Sequence, residues 1–208
     1  MKNINTYIIE KLKKISSRIP EKTYKEHPQD QLELRKILMK RLEEDQNAYL
    51  NDIDVSHINI MRRLFWELDP YEIDISEWDV SNVGNFSGMF LSCENLKCDV
   101  SKWDVSKGQF MISMFNGCYK FDCDLSKWDV SNVKNTVDMF RDCMHFKGKG
   151  LEKWNMKNIQ YGDNMFKGCE DLECNLNKWN LVNVESIDEM FEGCDTLEKL
   201  NLIPSWYK

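Results

Sequence analysis

Residues 76–93 read SEWDVSNVGNFSGMFLSC, and the same phrase returns four more times. It recurs as SKWDVSKGQFMISMFNGC at 101–118, SKWDVSNVKNTVDMFRDC at 126–143, EKWNMKNIQYGDNMFKGC at 152–169 and NKWNLVNVESIDEMFEGC at 177–194. Trp78, Trp103, Trp128, Trp154 and Trp179 stand 25, 25, 26 and 25 residues apart. The Met-Phe pairs that open at Met89, Met114, Met139, Met165 and Met190 keep that phase, as do Cys93, Cys118, Cys143, Cys169 and Cys194. A degenerate earlier copy has Ile53 in place of Trp, then Asp54-Val55-Ser56, then Leu64-Phe65. That makes six copies from about residue 46 to about residue 200. Helix–turn–helix repeats run to roughly 33–47 residues, so this period fits the leucine-rich range instead.

Each copy divides in two. In 81–93, Val83, Phe86, Met89, Phe90 and Cys93 fall at helical spacings, and Ser81 or Asn82 suits an N-cap. In the following stretch Leu96, Cys98 and Val100 alternate with Lys97 and Asp99, the period of a strand with one face inward. Phe121/Cys123/Leu125, Leu172/Cys174/Leu176 and Tyr71/Ile73/Ile75 follow the same alternation. The sequence therefore predicts an α/β fold: a right-handed, leucine-rich-repeat-like solenoid of about six coils, each a short parallel strand and a short helix. Six strands at a spacing of roughly 4.8 Å would make a sheet about 29 Å wide. One copy carries an extra residue between Cys143 and Trp154, where Gly148 replaces the ladder cysteine and Gly150 follows. A β-bulge is expected there, since glycine bends at low cost.

The phrase (D/N)-L-S-x-W-D-V-S-N-V followed by M-F-x-x-C resembles the BspA-like leucine-rich repeat family of bacterial surface proteins. YLNDIDVSHINIMRRLF (49–65) resembles that family's opening coil, and the helix over 32–44 resembles its lead-in. The resemblance spans roughly residues 30–195. It implies a solenoid that binds macromolecules, often as an exported adhesin, and supplies no shared catalytic residues.

Stacked copies turn each repeated residue into a ladder. Phe65, Phe90, Phe115, Phe140, Phe166 and Phe191 are expected as a buried aromatic ladder with methionines beside it. Five cysteines form one ladder, and Cys98, Cys123 and Cys174 form a second. Local spacing is C-x4-C, unlike the close pairs of metal sites, so buried reduced thiols are expected and neither metal nor cofactor is. Asp79, Asp104 and Asp129 follow the tryptophans, and Asn155 and Asn180 relieve that charge ladder. Turns closed by their side chains are the expected role, with a cation site as the alternative. The three histidines, His27, His57 and His145, share no motif, and no phosphate-cradling glycine loop occurs. No enzyme is predicted.

The chain has 208 residues and a net charge of -7, distributed unevenly. Residues 1–45 carry 11 Lys/Arg against 8 Asp/Glu, and residues 46–208 carry 17 against 27. The acidic part argues against direct nucleic-acid binding. Residues 1–45 are expected as a helical cap and 46–208 as the repeat region, closed by LNLIPSWYK. Ile4, Ile8, Leu12 and Ile15 make a helical stripe that completes the cap, docks to a target or joins a second copy. Lys22–Gln29 reads as a linker, and Pro28 as the opener of a helix with Leu34, Ile37, Leu38, Arg41 and Leu42 on one face. No long apolar run or secretory leader is visible, which implies no membrane insertion and a cytoplasmic protein, with non-classical surface display as the alternative.

The functional expectation is a non-enzymatic protein-binding scaffold. Its contact surface would be the outward stripe of Glu72, Asp74, Lys97, Asp99, Asp122, Asp124, Lys147, Lys149, Glu173 and Asn175. Being mostly acidic, it suits a basic partner. The rival expectations are an exported adhesin and an intracellular, phage-borne inhibitor that blocks a basic or nucleic-acid-binding protein.

Overall fold

The computed structural model describes residues 23–207. The stripe from Ile4 to Ile15 lies outside the described residues. Two α-helices occur among those described, α1 (Gln31–Glu44) and α2 (Asp195–Lys199), with a 3₁₀ turn at Leu151–Lys153. The repeats form neither helices nor strands. Copies are joined instead by isolated parallel bridges, one residue per copy, along Ile60, Asn85, Phe110, Asn135, Tyr161 and Ser186. The expected parallel sheet and the strand–helix solenoid of a leucine-rich repeat are therefore corrected to a stack of turn-built repeats.

Backbone angles explain why the helical spacing does not make a helix. The residue before each Met-Phe or Leu-Phe pair is left-handed: Arg63, Gly88, Ser113, Asp138, Asn164 and Glu189. So is the residue four further on, at Glu67, Ser92, Gly117, Asp142, Gly168 and Gly193. An α-helix of L-residues admits neither. The amides bond three residues back rather than four: Met89 to the Phe86 carbonyl, Leu91 to Gly88 and Cys93 to Phe90. Trp78 to Ile75 and Val83 to Val80 close the preceding turns in the same way. A run of four-residue turns points side chains inward every three or four residues, so its apolar pattern imitates a helix.

The expected strand half has a different failing. Leu96 and Val100 are buried and Lys97 is exposed, as alternation requires, but Cys98 is only half-buried. Only Tyr49↔Asp74 and Glu72↔Lys97 bridge there, between early copies. The extra residue after Cys143 produces no β-bulge, because no strand exists to bulge. Gly148 and Gly150 are left-handed, and Gly150 starts the 3₁₀ turn. A Cβ on Gly150 would lie 2.2 Å from the Ser126 nitrogen, so the close backbone approach requires glycine.

The core is a set of ladders, each with a polar function as well as an apolar one. Phenylalanine rings stack along Phe65–Phe90–Phe115–Phe140–Phe166–Phe191 with centroids 5.0, 5.3, 5.5, 5.7 and 5.7 Å apart. Each buried Phe contributes about 1.5–3 kcal/mol. Its amide donates to the methionine carbonyl of the next copy, as from Phe90 to Met114 at 2.9 Å. Its carbonyl accepts the cysteine thiol of that next copy: Cys118 to Phe90, Cys143 to Phe115 and Cys169 to Phe140, each at 3.0 Å. The indoles of Trp78, Trp103, Trp128, Trp154 and Trp179 donate to carbonyls of the preceding copy, from Leu50 to Leu151. Trp206 continues this ladder, bonding Leu176 and stacking on Trp179 at 6.3 Å. Asn82, Asn132, Asn158 and Asn183 donate their amides to backbone carbonyls one copy back.

Helix α1 closes the N-terminal end. Asp30, not Pro28, caps it, accepting the Glu33 amide at 2.9 Å. Leu34, Leu38 and Leu42 are buried against the first copy. Arg35 donates to the carbonyls of Arg63, Leu64 and Trp66 at 2.9, 2.7 and 2.7 Å, and Gln31 donates to that of Arg62. These two side chains provide donors that a preceding repeat would otherwise supply. The described part of the expected linker pairs with the first copy, through Glu26↔Ile53. Buried Asp52 is held there by Lys25 at 2.9 Å and Arg41 at 3.2 Å. No helix among the described residues is long and apolar enough to cross a membrane.

Candidate partner-binding grooves

The ten residues of the expected contact stripe line two adjoining grooves that share Asp122. The larger, about 830 Å³, is walled by Glu72, Asp74, Lys97, Asp99, Asp122 and Asp124, with Cys98, Cys123 and Lys120 beside them. The smaller, about 380 Å³, is lined by Asp122, Lys147, Lys149, Glu152, Glu173 and Asn175, with Gly148, Gly150 and Cys174. The stripe is a row of turns and not the outer side of a sheet.

Turn formation fixes the carboxylates. Asp74, Asp99 and Asp124 each accept the amide two residues on, from Ser76, Ser101 and Ser126 at 3.1, 2.9 and 3.0 Å. Asn175 makes the same contact with Asn177 at 3.1 Å, so the turn requires the acceptor oxygen and not the charge. Asp74 also accepts from Asn51 at 2.7 Å, and Asp122 accepts the Lys147 amide at 3.2 Å. Lys149 pairs with Asp124 at 2.9 Å, and Lys97 sits by the Tyr71 hydroxyl at 3.3 Å.

These contacts favour the ionised form of Asp74, Asp99 and Asp124. Burial pushes Asp74 upward, but bonds from Ser76 and Asn51 outweigh it and hold it below the usual range. The Ser101 bonds lower Asp99, and Lys149 together with Ser126 lowers Asp124 strongly. The thiols shift the other way. Burial raises Cys123 to about 11 and Cys174 to about 12, and Cys98 well above its ordinary value. A thiol held protonated is a poor nucleophile. Among the described residues no three His, Cys, Asp or Glu side chains gather as metal ligands.

The second aspartate series has the turn geometry too. Asp79, Asp104 and Asp129 accept from Ser81, Ser106 and Ser131 at 3.1, 3.0 and 2.9 Å, although no helix follows these turns. The histidines make separate contacts: His27 with Asp54, His57 with the Pro28 carbonyl and His145 with Asp171.

A third groove went unread in the sequence. It measures about 800 Å³ and is lined by Asn59, Ile60, Asn82, Gly84, Asn85, Lys107, Gln109, Phe110, Asn132 and Lys134. Ile60, Phe110 and Tyr161, from the bridged column, are 45%, 40% and 37% exposed in a chain that buries most of its large apolar groups. The available signal was that column, where large apolar residues (Ile60, Phe110, Tyr161) alternate with small polar ones (Asn85, Asn135, Ser186).

Comparison with known proteins places the repeats in a family. Residues 34–151 and 109–206 both match the family described as Mycoplasma protein of unknown function, DUF285. The chain belongs to the DUF285 family. The second match begins three repeat lengths after the first, as expected when one DUF285 pattern finds a periodic chain in two registers. The DUF285 description does not name the BspA-like proteins that the motif resembles. Neither the curated proteins nor the solved structures contain a match to this DUF285 chain.

Proposed function

We propose that this protein is a non-catalytic scaffold whose acidic groove receives a basic segment of a protein partner. The observation that carries the reading is the larger groove, where five carboxylates face two lysines. Asp74, Asp99, Asp122 and Asp124 are already fixed by backbone amides, so little ordering opposes association. In the smaller groove Lys147 and Lys149 stand beside Asp122, Glu152 and Glu173, so the stripe is less acidic toward that end. We further infer that it works inside the cell, since the core thiols have their protons engaged in hydrogen bonds and suit a reducing compartment.

Replacing Asp74, Asp99 and Asp124 together with Asn removes three charges while retaining the oxygen each turn needs. Binding of a labelled Lys/Arg-rich peptide, followed by fluorescence anisotropy, should weaken about tenfold in that variant, because three charges are withdrawn from one groove. Binding should also weaken with added salt. Equal binding by the variant and the parent chain would remove this groove from the function.

A further inference from the structure

We propose that the notch between Ile60 and Phe110 is a second docking site, which takes an acidic polypeptide segment carrying one large apolar side chain. The notch follows from the bridged column. Ile60, Asn85 and Phe110 lie side by side, one per copy, so two large exposed side chains flank a short one. Neighbouring rungs of a parallel pairing lie about 4.8 Å apart, which leaves the walls roughly 10 Å apart. Its floor is open: a Cβ on Gly84 would meet nothing nearer than the Lys107 carbonyl, 3.8 Å away. A Leu, Met or Phe side chain fits such a gap.

The charge around the notch specifies the rest of the ligand. Lys107 and Lys134 line it on one side. Arg62 and Arg63 line the adjoining cavity of about 310 Å³, which shares Asn85 and Phe110. No carboxylate lines either cavity, in a chain whose net charge is -7. Among the described residues, Arg62 and Lys134 form no ion pair, and the side-chain amides of Asn59 and Gln109 make no hydrogen bond. An acidic peptide would meet cations on both sides of its apolar residue and amides suited to its backbone. A nucleic acid matches less well. It extends its charge beyond four cations and would approach a surface that is acidic elsewhere.

The repeat itself supplies the test variants. Phe110→Asn installs the residue found at Asn85 and Asn135, and Lys107→Asn installs the one found at Asn82 and Asn132. Both restore side chains that the same fold already carries. Anisotropy would be measured with the full chain and three labelled probes: an Asp/Glu peptide with one central Leu, the same peptide with Ser for Leu, and a single-stranded oligonucleotide. The proposal expects the Leu peptide to bind best, and each variant to weaken it about tenfold, the contribution of one anchor residue. The Asp74/Asp99/Asp124→Asn variant should bind it at least as well as the parent chain. Absence of Leu-peptide binding, preference for the oligonucleotide, or unchanged binding by both variants at an unchanged melting temperature would each overturn it.

Discussion

Residues that look like simple filler in the sequence complete hydrogen bonds in the stack. Cys143 is fully buried and donates its thiol proton to the Phe115 carbonyl, which also accepts the Cys118 amide, so Cys143→Ala leaves that carbonyl paired and should cost only about 0.5–1.5 kcal/mol for the lost bond. Chemical denaturation would measure this, and a loss below that range would mean the bond contributes little. The buried thiols also impose an alkaline limit. Cys174 has an ordinary value of 9.0 that burial raises to about 12. The neutral thiol favours the fold fully below pH 9; from there to about pH 12 only the unfolded chain releases the proton, and stability falls. Cys174→Ala should make that fall shallower in a pH series of denaturation midpoints. The left-handed positions give a third test. Gly150→Ala adds a Cβ against the Ser126 backbone at a φ of 96° and should destabilise by at least about 3 kcal/mol. Burial of Trp78, Phe90 and Cys93 was legible because residue type and period sufficed. Their carbonyl partners one copy away were not, because sequence spacing does not state which backbone atom a stacked side chain reaches.

Repeats that read as a helix and a strand are neither, and the reason lies in the local backbone. Phe86, Met89, Phe90 and Cys93 satisfy a helical template, but residues 88 and 92 turn left-handed and split it into successive turns. Gly88 could have signalled this break, whereas Ser113, Asp138 and Glu189 at the equivalent position hide it. The alternation of Leu96, Lys97 and Val100 was real as burial and misleading as conformation. By contrast α1 was legible, since its leucines recur every four residues over a true helix. Arg35 was not legible, because its role depends on three carbonyls 28, 29 and 31 residues away. Arg35→Ala should cost about 2–4 kcal/mol, given charged donors withdrawn from several acceptors. Hydrogen exchange should then rise first in residues 50–68; uniform exchange along the stack would deny α1 its capping role.

The assembled molecule separates a constant interior from variable edges. Phenyl rings in all six copies, with indoles and thiols in the five after the first, hold the copies together, and exposed residues carry the surface chemistry. Three copies place an acidic groove around Asp99 and a cationic, apolar notch around Phe110 on different edges. The acidic stripe could be read from the sequence because its residues alternate with buried ones. The notch could not, because it arises only when Ile60, Asn85 and Phe110 become neighbours across copies. The most direct test is a ¹⁵N-labelled titration of the whole protein with a Lys/Arg-rich peptide. Shifts should concentrate on the amides of Glu72, Asp74, Lys97, Asp99, Asp122 and Asp124 and spare those of Ile60, Phe110 and Lys134. Shifts centred on the Phe110 edge, or none at concentrations that saturate the anisotropy signal, would contradict the assignment of the acidic groove as the partner site.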